Sequence, residues 1–144
     1  MYKKLMLTIF LIFAFVKEGE AQELQTQVES INAYIEQHSD GNRNYYAKIN
    51  ATQGNVYFYN EIMHAIELTF PVDKIDADKI KVTKKGLTFY ANKERDFVIK
   101  KFASSEKNIG TAWLNIIKMD KKSKLELKDM LRKFILEYQN AMKN

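Results

Sequence analysis

The chain has 144 residues, 46% of them hydrophobic and only one a proline, which suits a single packed domain and excludes the disordered class. It has no cysteine, which excludes disulfides, thiol catalysis and a cysteine-linked lipid anchor, and two histidines are too few for a histidine-rich metal centre. The net charge of +5 is spread along the chain and reads as a solubility feature before a nucleic-acid footprint, so no nucleic-acid partner is expected.

Residues 1–21 have the pattern of a secretory signal peptide. Lys3 and Lys4 precede an apolar run from Leu5 to Val16, broken only by Thr8, and Gly19-Glu20-Ala21 offers small residues for cleavage after Ala21. The run is shorter than the ~18 apolar residues of a spanning helix. Lys17, Glu18 and Glu20 make the cleavage region unusually charged, and the competing reading is an uncleaved anchor or a buried helix. Cleavage leaves residues 22–144 as one α+β domain, and export without cysteines points to the bacterial periplasm or exterior.

Gln22 to Gln37 reads as a helix, with Leu24, Val28, Ile31 and Ile35 forming a narrow apolar seam. His38-Ser39-Asp40-Gly41 closes it. The seam suits either a helix lying on its own sheet or half of a dimer contact. From Asn42 the period becomes two. Tyr45 to Asn50 and Val56 to Tyr59 form a hairpin around the turn residues 51–55, Asn60 and Glu61 break the run, and Ile62 to Phe70 makes a third strand ended by Pro71. Val72 to Asp78 is a charged connection anchored by Ile75. Ile80 to Thr83 and Leu87 to Tyr90 form a second hairpin through Lys84-Lys85-Gly86. Asn92 to Asp96 is a polar turn before the strand Phe97 to Phe102, Ala103 to Gly110 is a loop, and Thr111 to Met119 makes a seventh strand. The chain closes on an amphipathic helix from Ser123 to Met142. Its stripe is Leu127, Leu131, Phe134, Ile135, Tyr138 and Met142, and Ser123 with Glu126 fits a capping box.

This order predicts an N-terminal helix, about seven antiparallel strands in a rolled sheet or partly open barrel, and a C-terminal helix packed on it. The stretch Leu68-Thr69-Phe70-Pro71-Val72-Asp73-Lys74-Ile75-Asp76 leading into Ile80-Lys81-Val82, with the Trp113 strand running into the Ser123 helix, resembles the pleckstrin-homology-like fold. More narrowly, it resembles small secreted bacterial proteins of unknown function with that fold and an extra helix in front. The resemblance implies a binding or scaffolding domain and brings no catalytic residues. Family members that bind phosphoinositides carry basic residues in the first hairpin turn, and residues 51–55 hold no Lys or Arg.

The candidate chemistry is sparse. His64 with Glu61 or Glu67 would fall on opposite faces of a strand, and His38-Ser39-Asp40 are consecutive and cannot aim at one another as a triad. Asp73, Asp76 and Asp78 lack the spacing and glycine of a calcium loop and are flanked by Lys74 and Lys79. Asn50-Ala51-Thr52 matches a glycosylation acceptor without consequence in a bacterial chain. Lys118, Lys121, Lys122, Lys124 and Lys128, with Lys84, Lys85, Lys100 and Lys101, read as a solvated face or an anion-binding patch. Tyr45, Tyr46, Tyr57 and Tyr59 crowd one hairpin, where they either stabilise the strand pair or stack on a partner. The expected function is a secreted, non-catalytic binding or scaffolding domain using these tyrosines toward a protein, peptide or glycan, with no cofactor and no metal. The alternative is a structural protein that self-associates as a weak homodimer through its first helix.

Overall fold

A computed structural model describes residues 18–38, 45–52, 55–62, 66–92, 98–102, 105–116 and 118–143, with side-chain surroundings at 19–38, 70–92, 105–116 and 118–143. The apolar run 5–16, the helix-ending Gly41, His64 and the turn 93–96 lie outside the described residues. The protein is α+β: two helices and antiparallel strands.

Helix α1 spans Glu18–His38, one turn longer at its start than the spacing predicts, so helical backbone runs through the cleavage point expected after Ala21. The seam is buried. Leu24, Ile31 and Ile35 are at most 5% exposed, and they face helix α2, Lys121–Lys143, as well as strand β1 rather than the sheet alone. Gln27 hydrogen-bonds Glu137 and Tyr34 bonds Glu126, so the two helices run antiparallel.

The strands are β1 Tyr45–Thr52, β2 Asn55–Ile62, β3 Ile66–Pro71, β4 Lys81–Val82, β5 Gly86–Tyr90, β6 Val98–Phe102, β7 Ser105–Ile109 and β8 Thr111–Asn115. They form a five-stranded sheet ordered β1-β2-β3-β6-β7 and a three-stranded sheet ordered β4-β5-β8. Eight strands among the described residues replace the expected seven, and the chain alternates between sheets instead of running as one meander. Two local corrections accompany this, and the second supplies the eighth strand. Asn60 and Glu61 continue β2 because Ala47 and Tyr46 lie opposite them in the ladder. Ser105–Ile109, expected as loop, pairs with β6 although all but Ile109 are exposed. A polar edge strand needs only backbone pairing, so apolar alternation cannot reveal it.

Between β3 and β4 lie two 3-10 turns, Val72–Lys74 and Ala77–Lys79, with the anchor Ile75 fully buried and bridged to Ala91. Phe70 and Phe89, centroids 5.6 Å apart, join the two sheets. Helix α2 covers the smaller sheet and the 3-10 turns with Leu127, Leu131, Phe134, Ile135 and Tyr138, all buried. At its last turn Ala141 is buried and Met142 is 39% exposed, so the stripe drifts one position from the expected Met142. The helix also starts two residues before Ser123. Its cap is Asp120, whose Oδ1 accepts the Ser123 N–H at 2.8 Å, and Glu126 is occupied elsewhere.

Helix α2 holds the irregular connection with polar side chains. Gln139 Nε2 donates to the carbonyls of Val72 and Ile75 at 3.0 and 2.7 Å. Arg132 bonds Asp78 Oδ1 through Nε and Nη2 at 3.1 and 2.8 Å. Lys124, only 5% exposed, donates from Nζ to the carbonyls of Thr83 and Lys84 at 3.2 and 2.6 Å. Gly86 completes the turn. It adopts φ +156°, and an added Cβ would stand 1.8 Å from the Leu114 carbonyl oxygen.

Gly86→Ala is therefore expected to lower stability by about 2–4 kcal/mol, measured by urea unfolding, because backbone must move to admit the methyl group. Lys124→Met keeps the stem and removes the donors. It should cost roughly 1.5–3 kcal/mol in the same measurement, the range for hydrogen bonds made by a charged group.

Candidate binding surface

The β1–β2 hairpin has a single register. Tyr45 pairs with Ile62, Ile49 with Phe58 and Phe58 with Phe70, so these residues share the face that carries Phe70 into the core. Tyr46, paired with Glu61, Tyr59, paired with Lys48, and Tyr57, paired with Asn50, share the opposite face. Alternation thus separates the four tyrosines: Tyr46, Tyr57 and Tyr59 lie together and Tyr45 does not.

That face extends in rows across the larger sheet. One row is Tyr46, Glu61, Glu67, Lys101 and Glu106, and the next is Lys48, Tyr59, Thr69, Ile99 and Asn108. Glu67 and Lys101 are paired across strands, as are Lys101 and Glu106, so charges of opposite sign sit opposite one another. This face thus combines aromatic residues with charges of both signs and amides.

Among the described residues, several titratable groups cluster at helix ends. Where α1 ends and α2 begins, Tyr34 OH donates to Glu126 Oε2 at 2.6 Å, the Tyr34 and His38 rings stack at 4.0 Å, and His38 Nδ1 donates to the Tyr34 carbonyl at 2.9 Å. Desolvation raises the Tyr34 pKa above its ordinary 10.0, and the bond to Glu126 adds to this. The Asp120 carboxyl is lowered from 3.8, first by the Ser123 N–H and further by the nearby His38.

The three aspartates of the connection are also engaged or dispersed. Asp76 caps Asp78 N–H at 3.0 Å and pairs with Lys79 at 3.5 Å, Asp78 holds Arg132, and Asp73 is exposed. Among the described residues no group of three or more His, Asp or Glu is placed to hold a metal ion. Lys124, read in the sequence as part of a solvated face or anion patch, is instead buried. Its position within the Leu127–Leu131 stripe was the available signal. Gln139 and Tyr34 carried none, because their partners come from distant segments. Among the described residues no helix is long and apolar enough to cross a membrane. Comparison of the chain with protein-family models, with curated proteins and with solved structures finds no match.

The lowered Asp120 pKa sets a sign for pH dependence. A carboxylate held below its unfolded value contributes stability at pH above about 3.8, and loses it as pH falls through the folded pKa. Asp120→Ala should lower the melting temperature at neutral pH and converge on the unmutated chain in acid, as followed by circular dichroism at 222 nm.

Proposed function

We propose that this chain is an exported, non-catalytic binding or scaffolding domain that engages a protein, peptide or glycan through the Tyr46–Tyr57–Tyr59 face of its larger sheet. The observation that carries the reading is the hairpin register, which groups these three tyrosines on the face opposite Phe70. A core role alone does not require three aromatics there. In this reading residues 1–21 direct export and residues 22–144 form the domain.

The pleckstrin-homology-like resemblance supports the same reading through the terminal helix, which covers the smaller sheet. The pairing of β3 with β6 and β5 with β8 weighs against a simple rolled meander. Self-association through the α1 seam ranks second, because it would have to uncover Leu24, Ile31 and Ile35.

Native mass spectrometry of the gently purified protein is expected to show extra mass that leaves on denaturation. Replacing Tyr46, Tyr57 and Tyr59 together by Ser should lower affinity for that species by tenfold or more while the far-ultraviolet spectrum is kept. Cross-strand losses of roughly 0.2–1 kcal/mol per residue are the expected effect on stability. Full affinity in the folded triple variant would refute the proposal.

A further inference from the structure

The fold gathers lysines from two separated segments into one patch. Lys84 and Lys85 sit in the β4–β5 turn, Lys118, Lys121 and Lys122 stand at the entry to α2, and all five are exposed. The turn is tied to that entry. Ile116 N–H donates to the Lys85 carbonyl at 2.9 Å, and the buried Lys124 ammonium bonds the carbonyls of Thr83 and Lys84. Lys128 extends the patch along the helix. Among the described residues these six lysines form no ion pair.

The nearby acids are mostly committed. Asp120 accepts the Ser123 N–H and Glu126 accepts the Tyr34 hydroxyl, while Asp129 stands exposed. The first turn of α2 contains no acid and carries Lys121, Lys122 and Lys124, although a helix N-terminus disfavours positive charge. Lys124 is compensated by its carbonyl partners. Among the described residues Lys121 and Lys122 oppose the helix dipole with no such compensation, a local conflict of the kind kept for function.

Leu125 and Leu136, 44% and 38% exposed, are eleven residues apart and lie on one side of α2. Lys121 and Lys128 flank Leu125 at i−4 and i+3. Exposed leucines among lysines add nothing to recognition of a dissolved polyanion. A bilayer interface uses both, with ammonium groups at phosphates and leucines at the acyl boundary. A second copy of the chain would set like charges against each other.

We propose that the Lys84–Lys85 turn and the outer face of α2 bind the surface of an anionic phospholipid bilayer, with Leu125 and Leu136 entering the headgroup layer. The test is co-sedimentation of the full chain with vesicles of phosphatidylcholine alone and of phosphatidylcholine with phosphatidylglycerol. The apolar run 5–16 favours both vesicles alike, so the readout is the increment that phosphatidylglycerol adds.

Each lysine near such a surface contributes about fivefold. The variant Lys84→Gln, Lys85→Gln, Lys121→Gln, Lys122→Gln should therefore reduce partition into the anionic vesicles by about a hundredfold or more. Leu125→Ser with Leu136→Ser should reduce it severalfold. All six positions are exposed, so both variants are expected to keep the circular dichroism spectrum of the unmutated chain. Equal partition into the two vesicles, or an undiminished increment in the folded lysine variant, would overturn the proposal. So would retention by dextran sulfate, insensitive to the leucines and without any vesicle increment, since that marks a soluble polyanion as the partner.

Discussion

The backbone carbonyls of residues 72–84 are the constraint on which this architecture turns. This stretch consists of two single-turn 3-10 helices and a two-residue strand, so much of its backbone lacks the partners that a long helix or ladder supplies. A buried carbonyl left without a donor costs roughly 1–3 kcal/mol. Helix α2 provides the donors from Gln139 near one end and Lys124 near the other, with Arg132 between them on Asp78. Apolar burial draws the helix onto the sheet without direction, whereas these bonds specify its position along the segment. Sliding the helix by one turn would break all of them together.

The position of α2 decides the role of each sheet. The smaller sheet lies under the helix, with Leu87, Phe89 and Leu114 buried. Strand β3 enters the first 3-10 turn directly through Pro71, and Phe70 meets Phe89 across the join. That contact determines which face of the larger sheet is the core face. Strand parity then propagates the choice through Phe58 to Ile49 and places Tyr46, Tyr57 and Tyr59 on the other side. A slip of one residue in the hairpin would exchange the two sets.

Two surfaces of different chemistry result. The tyrosine face combines aromatics with charges of both signs, which suits a partner recognised by shape and hydrogen bonds. The patch at the entry to α2 has a strong excess of positive charge bordered by exposed leucine, which suits an extended anionic surface. The titratable groups between the helices are otherwise occupied: Tyr34, His38, Asp120 and Glu126 close the ends of α1 and α2.

Local chemistry made much of this legible. The 3.6-residue spacing of Leu127, Leu131, Phe134, Ile135 and Tyr138 foretold the buried stripe of α2, and the seam Leu24, Ile31 and Ile35 foretold that of α1. Gly86 after two lysines marked the turn that Leu114 makes obligatory. Alternation marked the first hairpin and required its tyrosines to divide between two faces. The α+β class followed from these periods, because periodicity is a property of residues near one another in the chain. What only the tertiary structure decided depends on distant residues: the pairing of β3 with β6 and β5 with β8, the burial of Lys124 beneath a turn forty residues away, and which hairpin face meets the core. Polar Ser105–Ile109 became a strand because β6 lay beside it, and Asp120 displaced Ser123 as the cap because the preceding chain placed its carboxylate over the first turn. Hydrogen bonds to a remote carbonyl leave no period in a sequence, and that is why these decisions were visible only in the folded chain.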